Sequence, residues 1–195
     1  ETDVHFTTGP LDVLDHSSSK YTYGSKLGID ATTKFSEEIV NSNAINIQKS
    51  EAISLPEVKS IVPEITDINL MNTYGICVVA LKKENKEQLV KIANLLHQQE
   101  FLSSVKMIIF VNQEVDVNDQ SMIAWITSGN IDPKRDTIIL KSSENSHAKI
   151  SIDATRKSLK KDKFQRNWPN VVVSNKETIH IIDTKWNRLG LGDFI

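Results

Sequence analysis

The chain has a single cysteine, Cys77, among its 195 residues. That excludes an internal disulfide and any thiolate cluster for zinc or iron–sulfur. Cys77 lies inside an apolar run, where a small core residue is the plain reading. No stretch reaches the run of about 18 apolar residues that a membrane-spanning helix needs. No positively charged segment leads into an apolar one, so no signal peptide is visible. A charge excess of one sign is missing too: 23 basic and 25 acidic side chains are interspersed, for a net charge of -2. Such a chain has no global basic field to attract nucleic acid. The first residue is Glu1 rather than methionine, in keeping with a chain that starts partway through something longer. The cytoplasm is the expected compartment.

What is present fits an ordinary globular protein, with 39% hydrophobic and 25% charged residues. That length can bury a core without staples. One hexapeptide comes twice. Ile29-Asp30-Ala31-Thr32-Thr33-Lys34 returns 123 residues later as Ile152-Asp153-Ala154-Thr155-Arg156-Lys157, with five of six positions the same. The repetition divides the chain into residues 1–55, the end of a preceding repeat and a linker, and residues 56–195, an α/β domain.

Residues 1–38 are dense in glycine, serine and aspartate. They predict an irregular extension of loop and turn with short helical pieces, leaning on another surface. Residues 39–55 are a connection with room for one strand. Pro56 starts a short helical turn that ends before Pro63. Ile65–Leu70 alternates as a half-buried strand, and Ile76–Leu81 is continuously apolar, a central strand. The two predict an antiparallel hairpin across Asn72–Gly75. Asn85 caps a helix whose Leu89, Ile92, Ala93 and Leu96 fall on one face. Val105–Val111 is the next strand, so strand, helix and strand make a right-handed crossover with parallel strands. Asp116 or Asp119 caps a helix ending at Gly129. Thr137–Leu140 is the expected last strand. The fold class is α/β: a mixed sheet with a β-α-β crossover and flanking helices, a two-layer sandwich. Residues 141–148 are polar and loose, and 157–163 form a solvated basic stretch. Ser174 with Glu177 suggests a capping box for an amphipathic C-terminal helix through Ile179, Ile182, Trp186 and Leu189. Gly190 is placed to end it.

Candidate chemistry is thin. Asp116–Gln120 resembles a calcium loop but has Ser121 and Thr127 where glycine and glutamate are needed. Gly24–Gly28 lacks the glycine spacing and preceding strand of a phosphate loop. Asp15, His16 and Ser17 are adjacent, which does not make a triad. Asp132, Lys134, Arg135 and Asp136 fit either an anion site or ion-pair network, or a capped turn with Pro133 at its first helical position; the turn is favoured. No histidines and carboxylates share ligand spacing on one element, so no metal residue is assigned.

Taken together, the motifs resemble a known family. Val115-Asp116-Val117-Asn118-Asp119, Ile123-Ala124-Trp125 and Asn130-Ile131-Asp132-Pro133-Lys134-Arg135-Asp136 look like the C-terminal domain of UbiD-type decarboxylases. These include the 3-octaprenyl-4-hydroxybenzoate carboxy-lyases of quinone biosynthesis. Gly9–His16 and Gly24–Thr32 are similar to the segment that follows the Asp-Pro-Xaa-Arg-Asp turn in that family. The resemblance implies a full-length enzyme for non-oxidative decarboxylation of aromatic or α,β-unsaturated acids. It would use prenylated flavin mononucleotide and a divalent, manganese-type ion. The catalytic, flavin and metal residues belong to parts of the family that precede this domain, so none is carried over, and cofactor-binding residues here stay unassigned. The implied role of this piece is assembly and active-site closure. Its implied partners are the flavin-binding part of the same chain and further copies in a homo-oligomer, with Trp186 on the tail helix as a contact. Neither flavin nor metal is expected in the piece itself.

One departure stands out. Here a Gly-Ser-Lys segment precedes the Asp-Pro-Xaa-Arg-Asp turn, and a copy without its glycines, Ser146–Asp153, follows it. A duplicated C-terminal region explains both. Two rival readings remain: a stand-alone α/β interaction or dimerisation module, and a small-anion binder using Lys26, Lys34 and Arg135.

Overall fold

The computed structural model describes residues 3–30, 32–33, 35–36, 54–140 and 148–192. It opens with two strands, β1 (Val4–Pro10) and β2 (Tyr23–Ile29), paired antiparallel from Val4↔Ile29 to Pro10↔Tyr23. This corrects the expectation of loop and short helical pieces. Cross-strand pairs such as Phe6↔Leu27 and Val4↔Ile29 stabilise the ribbon, and a composition dominated by glycine and serine hides them. Residues 11–22 between the strands are irregular, as expected. The strand allowed for residues 39–55 falls almost entirely on 39–53, outside the described residues; so does the loop over 141–147.

The body begins with helix α1 (Leu55–Ile61), with Pro56 in its first turn and Ser54 N–H donating to Glu57 Oε2 at 3.2 Å. Strands β3 (Ile65–Met71) and β4 (Ile76–Leu81) form the expected hairpin. Gly75 turns it with φ +64, a left-handed conformation that suits glycine. Helix α2 (Lys86–His97) follows, with Asn85 accepting from Gln88 N–H at 2.8 Å. It crosses over to β5 (Met107–Asn112), which runs parallel to β4. Between the two possible caps of α3 (Gln120–Gly129), Asp119 is the one that accepts from Met122 N–H. Asp116 makes a turn with Asn118 instead.

Next come the short helix α4 (Pro133–Asp136) and β6 (Thr137–Leu140). β6 is not the last strand. The second hexapeptide begins inside a further strand, β7 (Lys149–Asp153). β7 inserts between β5 and β6, giving the order β3-β4-β5-β7-β6. It is parallel to β5 and antiparallel to β6. Only five residues alternate here, too few to show a period after a polar run. A side-chain-capped turn follows β7, where Asp153 Oδ1 accepts from Thr155 N–H at 3.1 Å.

Helices cover both faces of the sheet, where a two-layer sandwich was expected. On one face Cys77, Val79, Leu81, Ile108 and Phe110 pack with Val58 and with Leu89, Ile92, Ala93 and Leu96 of α2. On the other, Val78, Ala80, Ile109 and Val111 meet Ile123 and Ile126 of α3. Burying each large apolar side chain contributes roughly 1.5–3 kcal/mol. The chain ends through α5 (Leu159–Asp162) and α6 (Lys176–Lys185), the latter capped by Asn175, which accepts from Thr178 N–H at 2.7 Å. Asn175 thus takes the role expected of Ser174, one residue closer to the helix. Gly190 has φ +65, as its place after the helix predicts. Ile179 and Ile182 of α6 are 46% and 41% exposed, so its apolar face lies uncovered. Among the described residues no helix is long and apolar enough to cross a membrane.

Candidate functional site

The parallel strands β4, β5 and β7 end on one rim of the sheet, the side where open α/β sheets collect their functional groups. Lys83 stands two residues beyond β4, and Asp153 closes β7. Lys83 Nζ donates to Asp153 Oδ2 at 2.5 Å, to Thr155 Oγ1 at 3.3 Å and to Asp162 Oδ1. Asp162 also accepts from Ser158 N–H, the N-cap of α5, so the Lys83 bond fastens a closed helical turn to the rim. Lys157 Nζ donates to the carbonyls of Asp153 and Thr155 and lies 3.3 Å from Asp153 Oδ1 and 3.7 Å from Asp136 Oδ1. Arg135 holds Asp136 through two bonds of 2.8 and 2.6 Å. Lys83, Lys157 and Arg135 thereby balance Asp136, Asp153 and Asp162. Lys157 is 3% exposed, which corrects its assignment to a solvated basic stretch. A carboxylate presented by β7 recruits it inward, and no local pattern reports that.

Charge on this rim is held by neighbours. Burial alone would push the Lys83 ammonium down, but Asp153 and Asp162 hold it above its ordinary value. Burial likewise opposes ionisation of Asp153, and the Lys157 and Lys83 charges overcome it and keep that carboxyl low. For Asp136 burial wins over Arg135 and Lys157, and its carboxyl titrates above the usual range.

The Asp132–Asp136 segment is both a capped turn, with Pro133 at its start, and part of this network. It also receives the N-terminal ribbon. Ser25 of β2 donates its hydroxyl to Asp132 Oδ1 and accepts from Lys134 N–H at 2.8 Å. Lys134 Nζ reaches Thr8 of β1 at 2.5 Å. Arg135 Nη1 donates to Ser17 O at 2.7 Å, and Arg166 Nη1 and Nη2 donate to Ser18 O and Asp15 O. Arg135 is engaged, Lys26 points to the face opposite Ser25 by strand alternation, and Lys34 lies outside the described residues. Asp15, His16 and Ser17 do not form a triad. Ser17 Oγ bonds Asp15 Oδ1 at 2.8 Å, whereas His16 Nε2 turns to Asn130 Oδ1 at 3.2 Å.

Beside the rim a cavity of about 460 Å³ opens between α3 and residues 168–172. Trp125, Trp168, Val171 and Val172 give it apolar walls, with Arg156 and Glu114 as charged members. Arg156 Nη2 donates to Pro169 O at 3.0 Å, which pins the segment that shapes one wall. The sequence did mark Arg156, as the one position where the hexapeptides differ, but gave it no role. Among the described residues no group of three or more histidine, cysteine, aspartate or glutamate side chains could hold a metal ion.

Residues 46–161 match the 3-octaprenyl-4-hydroxybenzoate carboxy-lyase C-terminal domain family. An uncharacterized protein of Archaeoglobus fulgidus is 31% identical over 154 residues, 72% of this chain and 32% of that protein. One from Helicobacter pylori strain J99 is 32% identical over 182 residues, 91% of this chain and 27% of that protein. The chain thus spans about a third or less of these relatives. In fold it resembles the vanillic acid decarboxylase of Sedimentibacter hydroxybenzoicus. The open form, with truncated ShVdcD, gives a TM-score of 0.52 at 18% identity, over 69% of this chain and 31% of that one. The closed form gives 0.51, over 70% and 31%. With 116 of its 195 residues inside the match, the chain belongs to the 3-octaprenyl-4-hydroxybenzoate carboxy-lyase C-terminal domain family.

Proposed function

We propose that this chain is the non-catalytic C-terminal part of a UbiD-type carboxy-lyase, working in assembly and active-site closure. The complete enzyme removes carbon dioxide without net oxidation from an aromatic or α,β-unsaturated acid. Prenylated flavin mononucleotide and a manganese-type ion supply an electron sink and a charge anchor, both held by the preceding part of the protein. The cytoplasm is its proposed compartment and a homo-oligomer its proposed state.

The family match across 46–161 is the observation that carries this reading. The rim adds to it. Its six charged groups are engaged with one another, and the carboxylates there are committed to lysine and arginine rather than converging as metal ligands. Among the described residues, the carboxylates of this rim are therefore committed within the protein, which suits a cofactor site elsewhere in the complete enzyme. The related fold of vanillic acid decarboxylase has been seen in open and closed forms, which suits a domain that moves.

Deletion of residues 56–195 from the complete protein tests the proposal. Flavin absorbance and bound metal should persist while decarboxylation of aromatic acids falls at least a hundredfold. Loss of flavin together with the domain would move the cofactor site here and overturn it. The uncovered Ile179 and Ile182 on α6 favour a second reading, an interaction module, which Ile182→Asp with light scattering separates. A smaller assembly, in a protein that carries neither flavin nor decarboxylase activity, would support that reading.

A further inference from the structure

The ribbon β1–β2 repeats the hairpin β6–β7 in register. Ile29 opposes Val4 as Ile152 opposes Thr137, and Leu27 opposes Phe6 as Ile150 opposes Ile139. The steps from β2 to β7, 29 to 152 and 27 to 150, are the 123 residues that relate the two hexapeptides, while those from β1 to β6, 4 to 137 and 6 to 139, are 133, so the later hairpin is ten residues tighter. The turn that follows repeats as well. Asp30 Oδ1 accepts from Thr32 N–H and hydroxyl at 2.9 and 2.6 Å, and Asp153 Oδ1 accepts from Thr155 N–H and hydroxyl at 3.1 and 2.5 Å.

The surroundings differ on one side only. β7 has β6 on one edge and β5 on the other; β2 has β1 on one edge and, among the described residues, no strand on the other. Asp30 N–H goes to Asp3 O, and Leu11 N–H goes to Thr22 O. Antiparallel alternation then turns the N–H groups of Leu27 and Ile29 to the open edge. Their counterparts behave accordingly, since Ile150 N–H donates to Lys106 O just before β5. Ile152 is 4% exposed under that neighbour, whereas Ile29 is 51% exposed.

We propose that β1 and β2 are the edge hairpin of another copy of this domain, carried earlier in the same polypeptide. The open edge of β2 pairs in parallel with that copy's counterpart of β5. The ribbon then belongs to two bodies at once. One end completes the sheet of the earlier copy, and the other end sits on the later copy through Ser25, Asp132 and Arg135. The length of the relatives leaves room for such a copy, because this chain covers only 27–39% of four of them.

Hydrogen exchange on the complete polypeptide, followed at single amides, tests this. The Leu27 and Ile29 amides should exchange at least about a hundredfold more slowly than open edge amides, and about as slowly as those of Ile150 and Ile152. Exchange at the rate of an exposed strand edge would overturn the proposal. So would protection that disappears on dilution, because the edge would then be covered by a second molecule rather than by the same chain.

Discussion

Lys83 and Asp153 meet at 2.5 Å across 70 residues of sequence, tying the exit of β4 to the exit of β7. With Asp162 they form a buried triad at which α5 is fastened. Lys83→Met would leave Asp162 without its cation and Asp153 with Lys157 alone. The cost should be about 3–5 kcal/mol, the usual result of orphaning a buried charge. Chemical denaturation measures it. Lys160→Met, on the exposed side of α5, should stay within about 0.5 kcal/mol.

Gly24 of β2 faces both its own 11–22 loop and the body. A Cβ there would stand 2.5 Å from Leu11 Cδ1, 2.8 Å from Ser18 Cβ and 3.0 Å from Asp132 Oδ2. Gly24→Ala should therefore lift the ribbon from Asp132 and destabilise the docking by about 1–3 kcal/mol. Limited proteolysis reads this as faster cutting within residues 11–22, with the core of residues 56–162 left intact.

His97 is buried against β7, with Nε2 2.9 Å from Ser151 Oγ. Burial, with help from the Lys149 charge, pushes its imidazole down to about 4. The unfolded chain therefore takes up the proton first as pH falls. Stability from the neutral ring is complete above the ordinary histidine value of 6.5 and is lost between 6.5 and about 4. Thermal midpoints taken across that window should drop in the parent and show a shallower drop in His97→Gln.

Cys77 is fully buried in β4, and burial raises its thiol to about 12. A thiol reagent at neutral pH should react at the rate of global opening. Labelling should therefore accelerate with denaturant in parallel with unfolding. Reaction at the rate of a free thiol in native buffer would contradict the packing of β4.

Elements that announce themselves by period were legible in advance. The apolar run Ile76–Leu81 and the spacing of Leu89, Ile92, Ala93 and Leu96 placed a central strand and its covering helix correctly. The motif around Asp132–Asp136 gave the family. What escaped was long-range. β7 is short and follows polar residues, so only its neighbours β5 and β6 make it a strand. Lys157 looked solvated because Asp136 arrives from another element, and Asp153, at i,i+4 before it, is buried only once β7 is in the sheet. The ribbon escaped for a similar reason: Phe6 and Leu27 are apolar partners that lie 21 residues apart. Arg156 was visible only as a mismatch between repeats, and the wall it pins is a tertiary fact.

The place of β7 also sets the order in which the sheet can close. β6 is synthesised first, yet it touches β5 only through β7. Until residue 153 has left the ribosome, β5 keeps a bare edge of Met107–Phe110, and β6 has nothing to join. Closing that gap demands a non-local parallel pairing, the slow kind of step. A nascent chain halted before β7 would present an apolar strand edge to other chains. Aggregation during synthesis should therefore concentrate in this window, and chaperones should engage the chain there.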